Sequence, residues 1–99
     1  MRLRARFAEG ITTVQVLIQH PMENGLRKDA QGRTIPEHFV TEVTASHDDR
    51  VVLMASFGRS VSTNPLLQFE FEGGAVGDTI AIRWVDSAGD TRSDAVQIT

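Results

Sequence analysis

The sequence predicts an all-β protein, an immunoglobulin-like antiparallel two-sheet β-sandwich of about seven strands. Apolar side chains recur at every second position in several short runs, which is the spacing of one face of a β-strand. Turn-forming residues separate these runs, and none of them has the period of a helix. Because the chain has 99 residues, we expect one domain, residues 1–99, with a single core.

The first two strands lie near the N-terminus. The first run has an apolar face and a basic face formed by alternating residues, Leu3, Ala5 and Phe7 against Arg2, Arg4 and Arg6. These arginines suggest either steering of an anionic partner or an ordinary solvated face. The second strand is predicted from Ile11 to His20, and Leu17 interrupts its polar row.

The third and fourth strands follow a long irregular stretch. The third is predicted over about residues 38–47, where Val40 lies in an otherwise polar row. The polar residues 47–50 form a turn, and the fourth strand is VVLMASF, residues 51–57.

The last three strands have clear boundaries. Leu67 to Glu72 alternates apolar and polar side chains, and two glycines end this fifth strand. TIAIRWV, residues 79–85, is the sixth strand, and residues 86–90 form a hairpin connection. The seventh strand is predicted over residues 91–98.

Two strands carry apolar side chains on both faces, VVLMASF and TIAIRWV. One interpretation is that both are central strands, since exposed apolar atoms are common on any protein. The other is that an outer sheet face is buried against another protein. Met54 and Val85 are the candidate contacts on such a face.

Composition excludes several function classes. The net charge of −3 gives no surplus of Lys and Arg for nucleic acid or an anionic membrane. No apolar run approaches the roughly 20 residues of a membrane helix. The segment MRLRARFAEG has no apolar core of a secretory signal, which taken alone predicts the cytoplasm. The chain has no cysteine, so it can form no disulfide, thiolate nucleophile or iron–sulfur site.

The stretch HPMENGLRKDAQGRTIPEHF, residues 20–39, is the first candidate for a reactive or metal site. Three histidines invite a metal hypothesis, together with nearby carboxylates: His20, His38 and His47, with Glu23, Asp29 or Glu37. On one straight strand His38 and His47 would point to opposite faces, and we judge the histidines poorly placed to converge. We therefore predict no metal ligand and interpret the stretch as a structured connection between the sheets.

Other reaction centres are weaker still. Four aspartates lie at predicted turns and suggest calcium, although solvated turn residues are the favoured interpretation: Asp48, Asp49, Asp86 and Asp90. No Gly-x-Ser-x-Gly elbow and no phosphate-binding glycine loop occur. The residues alone therefore predict a β-sandwich binding module with no catalytic residue and no cofactor.

Three segments resemble the SoxZ family, the small subunit of the SoxYZ sulfur carrier in bacterial thiosulfate oxidation. The first is LIQHPMENGLRKDAQGRTIP, residues 17–36. The second is STNPLLQFEF, residues 62–71, and the third is RWVDSAGDT, residues 83–91. They occur in order along much of the chain, so the resemblance is specific.

The resemblance implies an immunoglobulin-like sandwich that pairs with a SoxY-like subunit as a heterodimer. SoxY carries the sulfur intermediate on a cysteine near its C-terminus, and SoxZ is not itself an enzyme. A SoxZ-like chain is expected in the periplasm, exported with a signal-bearing partner. The resemblance also implies transient docking to the Sox enzymes.

Twelve residues are candidate partner contacts. They come from the resembling segments and from the apolar strands: Leu17, Met22, Glu23, Gly25, Arg27, Asp29, Ile35, Pro36, Met54, Asn64, Pro65 and Val85. Arg27 and Lys28 are further candidates for guiding anionic partners. The alternative functions are a SoxZ-like subunit of a carrier for another oxidation system and a small His/carboxylate metalloprotein.

Overall fold

The computed structural model describes residues 1–99 and contains seven β-strands and no α-helix. The strands are β1 (Arg2–Ala8), β2 (Ile11–Leu17), β3 (Val40–His47), β4 (Arg50–Ser56), β5 (Leu66–Glu72), β6 (Thr79–Asp86) and β7 (Thr91–Gln97). The predicted all-β class is therefore confirmed. No helix is present that has the length and apolar character needed to cross a bilayer.

The strands form two antiparallel sheets. The three-stranded sheet has the order β1-β2-β5, and the four-stranded sheet has the order β4-β3-β6-β7. The chain passes from one sheet to the other between β2 and β3, through the crossover loop, residues 18–39. This confirms that the long stretch connects the sheets.

Both sheets contribute apolar side chains to one core. Its largest fully buried members are β-branched residues of the central strands, together with the isoleucines that follow β2 and β7: Val14, Val16, Ile18, Val40, Val43, Ile80, Ile82 and Ile98. Phenylalanines of the edge strands pack against this group. Burial of such side chains contributes about 1.5–3 kcal/mol each relative to exposure, so the core drives the pairing of the sheets.

Two sequence expectations for the strands are wrong. Val40 is fully buried and does not lie on an outer polar row, because the β3–β6 register shifts between Val40 and Glu42 and turns Val40 inward. The second strand ends at Leu17 and not at His20. Beyond Leu17 the chain leaves the regular ladder. The Ile18 N–H donates to the Pro65 carbonyl oxygen, and the His20 N–H donates to the Asn64 side chain.

The two strands with apolar residues on both faces differ in the structure. In β6 the large residues point inward, including Ile80 and Trp84, so its outer face carries only Ala81 and Val85 as apolar residues. In β4, by contrast, apolar side chains lie on both faces, as expected. That strand is an edge of its sheet, and Met54 is 65% exposed on its outer face.

Candidate functional site

The crossover loop contains its own small hairpin. Lys28 and Thr34 form an isolated antiparallel bridge, and Gly32 reverses the chain with a φ of 77°. The Asp29 carboxylate accepts hydrogen bonds from the backbone N–H groups of Gln31 (2.9 Å) and Arg33 (3.0 Å). Gly32 therefore supplies a turn in the crossover loop, and Asp29 stabilises this turn as an Asx-type cap.

The base of the loop is closed by a second isolated antiparallel bridge. Glu23 and His38 exchange backbone hydrogen bonds of 2.7 and 2.8 Å. Gly25 has a φ of 82°, and a Cβ added there would lie 3.3 Å from the Glu37 Cβ. Arg27 forms an ion pair with Glu23 on the solvent side. Both the backbone conformation and the close approach of the returning chain therefore favour glycine at position 25.

The segment Thr63–Pro65 lies against the start of the crossover loop. Asn64 donates its backbone N–H to the carbonyl oxygen of His20 (3.0 Å), and its side-chain oxygen accepts the His20 N–H (2.9 Å). Thr63 Oγ1 donates to the Pro21 carbonyl at 2.9 Å. Two of the segments that suggested the family resemblance are thus hydrogen-bonded to each other.

A buried cluster joins the loop to the β6–β7 hairpin. Asp86 Oδ2 accepts hydrogen bonds from His20 Nε2 at 3.1 Å and from His38 Nε2 at 2.8 Å. The side chains of His20 and Asp86 are 3% and 1% exposed, whereas that of His38 is 38% exposed. The His20 ring also contacts Trp84 edge to face, with centroids 5.3 Å apart. We call His20, His38 and Asp86 the Asp86 hub.

The second oxygen of Asp86 closes the hairpin. Asp86 Oδ1 accepts the backbone N–H groups of Ala88 (3.0 Å) and Asp90 (2.9 Å). Burial would raise the pKa of Asp86, but the hydrogen bonds from His20 and His38, and then those from Asp90 and Ala88, outweigh it and hold the pKa below 3.8. The buried carboxylate therefore stays ionised and fully hydrogen-bonded at neutral pH.

Two expectations about these residues are wrong. The histidines of the loop do converge, because His38 precedes β3 and the Glu23–His38 bridge brings it beside His20, with ring centroids 4.7 Å apart. Asp86 is a buried acceptor and not a solvated turn residue. The Asp-x-x-Gly pattern at residues 86–89 predicted the hairpin turn, but nothing in the sequence places its carboxylate against two histidines 48 and 66 residues away.

The hydrogen bonds fix which nitrogen of His20 carries the proton. The Met22 backbone N–H donates to His20 Nδ1 at 3.1 Å, so Nδ1 holds a lone pair and the ring proton of neutral His20 is on Nε2. The ligand atoms of the Asp86 hub lie within 4.8 Å of one another, which is close enough for a metal site. A metal bound to His20 through Nε2 would, however, need a lone pair where this tautomer holds the proton. The arrangement is thus suited to hydrogen bonding, and the absence of a metal ligand stays a prediction.

A second cluster lies at the other end of β3. His47 Nε2 is 2.8 Å from Asp78 Oδ2, and the same oxygen accepts the Ala75 backbone N–H at 3.0 Å. Asp48 Oδ1 accepts the Thr79 N–H at 2.9 Å. These bonds tie the β3–β4 turn to the start of β6. The expectation that His38 and His47 do not share a site agrees with this separation.

The family assignment follows from a comparison with protein-family models. Residues 1–97 match the family described as "Sulphur oxidation protein SoxZ". The chain belongs to the SoxZ family. Its role therefore lies in sulfur oxidation, as the resemblance of the three segments implied. A search of curated proteins finds no match.

The segments that carry the SoxZ resemblance meet at His20. His20 itself comes from the first, Asn64 from the second, and Trp84 and Asp86 from the third. These side chains or their backbones bond to or contact His20 on three sides. The three segments are distant in the sequence, but they pack together in the fold.

The twelve predicted contact residues lie in two separate regions of this chain. Ten belong to the crossover loop, the Thr63–Pro65 segment and the adjoining end of β2. Here an open groove of about 620 Å³ is lined by Pro21, Met22, Glu23, Asn24, Leu26, Arg27 and Thr63. Met22 and Pro65 are buried within the chain, while Leu26 is 80% exposed and was not predicted. Met54 and Val85 lie instead on the outer face of the four-stranded sheet.

Proposed function

We propose that this chain is the non-catalytic subunit of a SoxYZ carrier and binds a SoxY-like subunit whose C-terminal cysteine holds the sulfur intermediate. The observation that carries the proposal is the SoxZ match over residues 1–97 in a chain with no cysteine. A sulfur adduct of this kind is attached to a cysteine thiol, and this subunit has none. The carried group therefore belongs to the partner.

The chemistry of the Asp86 hub supports a structural role over a catalytic one. Both ring nitrogens of His20 and both oxygens of Asp86 are engaged in hydrogen bonds within the chain. A general acid or base needs a free atom within reach of a substrate proton. The hub would have to break bonds that hold the crossover loop before either group acted on a substrate.

The outer face of the four-stranded sheet is the proposed contact with the SoxY-like partner. Thr44 of β3 lies across from Met54 of β4, and the adjacent row contains Val85 across from Glu42. Val51 adds a further apolar side chain, 53% exposed. Small residues form most of the rest of the face, Thr44, Ser46, Ala81, Ser93 and Ala95, and the charged side chains of Glu42 and Arg83 lie among them. The small residues can pack against a second sheet with little loss of side-chain entropy.

The edge of the same sheet supports this assignment. β4 is an edge strand with the sequence RVVLMAS, and no hydrogen bond outside the sheet ladders involves its backbone. Proteins usually protect such edges with charges, prolines or bulges, and an apolar edge is a template for pairing with another chain. β4 has one charged residue, Arg50, at its start and a bulge at Val52, so residues 53–56 are the part of this edge that is open to a partner.

The crossover-loop groove is the proposed docking surface for the enzymes that visit the carrier. It is open, and it combines the exposed Leu26 with the Glu23–Arg27 ion pair. Mixed, solvent-exposed surfaces are typical of transient contacts. The proposal places the carrier in the periplasm, with this subunit exported together with its partner. Cell fractionation with antibodies to both subunits tests this location.

A carrier for another oxidation system is the alternative function within the same class. Its partner would bind the same surfaces but would lack an arm ending in cysteine. The sequence of the subunit that co-purifies with this chain therefore separates the two proposals.

Co-expression tests the proposed pairing. The chain is expressed with a tagged SoxY and purified through the tag. We expect an equimolar complex that survives size-exclusion chromatography, because a stable heterodimer buries about 800 Å² per partner. Elution of the two subunits as separate monomers would contradict the proposal.

A further inference from the structure

The outer face of the three-stranded sheet has its charges sorted by strand. Arg2, Arg4 and Arg6 of β1 lie on one side of this face. β2 contributes no charged residue in the middle, and β5 places Glu70 and Glu72 on the other side. The face therefore runs from positive at the β1 edge to negative at the β5 edge.

These charges are not neutralised within the chain. None of the ion pairs in the structure includes an arginine of β1 or a glutamate of β5. Arg6 lies across from Thr13, and Thr13 lies across from Glu70, so two strand spacings, roughly 10 Å, separate the backbones of Arg6 and Glu70. By contrast, Arg27, Arg59 and Arg92 each reach a carboxylate.

One end of this face is apolar. Leu17 lies across from Leu66, and the Leu66 side chain is 67% exposed. Ile11, at the opposite end of β2, is 38% exposed. The face thus has a row of arginines on β1 and glutamates on β5, neither of which forms an ion pair within the chain. It also has two leucines whose burial against another surface would be favourable.

We propose that a second copy of this chain packs on this face about a two-fold axis parallel to the strands. That rotation lays β1 of each copy over β5 of the other, so Arg6 faces Glu70 of the second copy twice. It also places Leu17 on Leu17 of the second copy, and Leu66 on the long aliphatic stem of Arg2 of the second copy. A two-fold axis across the strands would instead set arginines against arginines, so the charge pattern selects the first arrangement.

The dimer is expected to be weak and sensitive to salt. Three short strands present far less than the roughly 800 Å² per partner of a standard interface. Exposed charges are also screened beyond about 10 Å at 0.1 M ionic strength. The inference is independent of the proposed SoxY-like contact, which uses the other sheet, and the two contacts together would give a complex with two copies of each subunit.

Charge reversal tests the arrangement. Sedimentation equilibrium of the isolated chain at low salt, over a range of concentrations, compares the native protein with Arg6→Glu, Glu70→Arg and the double variant. We expect each single reversal to weaken dimerisation by about tenfold or more, since two symmetric pairs become repulsive. The double variant should return to within about threefold of the native constant, because the pairs are restored with exchanged partners.

The control is Arg83→Glu, which makes the same charge change on the outer face of the other sheet. It should leave dimerisation unchanged, and circular dichroism should show that all variants keep the β-sandwich. A chain that is monomeric at every concentration at low salt would overturn the proposal. So would a double variant that stays as weak as the single ones, or a control that weakens dimerisation as much as Arg6→Glu.

Discussion

His20 Nε2 donates a buried hydrogen bond of 3.1 Å to Asp86 Oδ2, although the two residues are 66 positions apart in the sequence. The bond joins the crossover loop, which follows the three-stranded sheet, to the hairpin between β6 and β7. His38 donates to the same oxygen, and two backbone N–H groups occupy the other one. One ionised carboxylate thus holds the loop that lines the candidate docking groove.

The first prediction concerns Asp86→Asn. Asparagine has one acceptor oxygen where Asp86 has two, so its NH₂ would face either the Nε2–H of His20, which cannot change tautomer while Met22 donates to Nδ1, or the backbone N–H groups of Ala88 and Asp90. We expect the free energy of unfolding to fall by about 2–4 kcal/mol, because a buried donor loses its acceptor. Urea denaturation measures this value.

Asp90→Asn is the matched control for Asp86→Asn. Asp90 lies in the same turn but is exposed, and its side chain makes no hydrogen bond in the structure. We expect its unfolding free energy to stay within about 0.5 kcal/mol of the native value. Equal losses in the two variants would show that the Asp86 hub does not stabilise the fold.

The second prediction is a loss of stability in acid. The pKa of Asp86 is lower in the folded chain than its ordinary value of 3.8, so its ionisation stabilises the native state at pH values above 3.8. This contribution is lost as the pH falls from 3.8 through the lower native pKa. In urea denaturation at a series of pH values, the difference between native protein and Asp86→Asn should shrink over that range. A constant difference would contradict the shift.

The third prediction separates the two histidines. His20 is buried and bonded through both nitrogens, whereas His38 is partly exposed and donates one bond to Asp86. We expect His20→Ala to cost about 2–4 kcal/mol and His38→Ala about 1 kcal/mol, since truncating His20 also leaves a cavity beside Trp84. Thermal and urea unfolding of the two variants provide the comparison. A larger cost at His38 would move the centre of the hub to that residue.

The strand pattern of this protein could be predicted from the sequence because period-two alternation reports one buried face. β5 and β6 show this most clearly, since Phe69 and Ile82 point inward and their neighbours point outward. The inward turn of Val40 could not be predicted, because it depends on a register shift between two strands distant in sequence. Local periodicity carries no information on such a shift.

The Asp86 hub could not be derived from spacing alone. Two of its members lie in the crossover loop and one lies in the β6–β7 hairpin. These two segments meet only because of the strand order of the sheets, which the sequence does not state. The expectation that the histidines do not converge was wrong for His20 and His38, because His38 lies before β3 and follows the path of the loop. The resemblance to the SoxZ family did point to the right segments, since all three of them meet at His20.

The fourth prediction concerns the contact with the SoxY-like partner. Met54→Glu and Val85→Glu each add a charge to the outer face of the four-stranded sheet. We expect each to abolish co-purification while the chain stays folded, because an unpaired charge is costly to bury at an interface. Size-exclusion chromatography of the co-expressed subunits measures the complex, and circular dichroism measures the fold.

Val76→Glu is the control for these two variants. Val76 is 69% exposed in the connection between β5 and β6, away from the proposed face. It should leave the complex intact. If Met54→Glu and Val85→Glu pair with the partner as well as Val76→Glu does, the contact lies on another surface, and the crossover-loop groove becomes the next one to test by Leu26→Glu.

The most direct test of the carrier account is the intact mass of both subunits after loading with sulfur. The co-purified complex is incubated with thiosulfate and the oxidising enzyme that loads it, since joining a thiol to thiosulfate releases two electrons. We predict an added mass on the SoxY-like subunit only, because this chain has no cysteine to carry it. An adduct on this chain, or loading of the partner that is equally fast without this chain, would contradict the account.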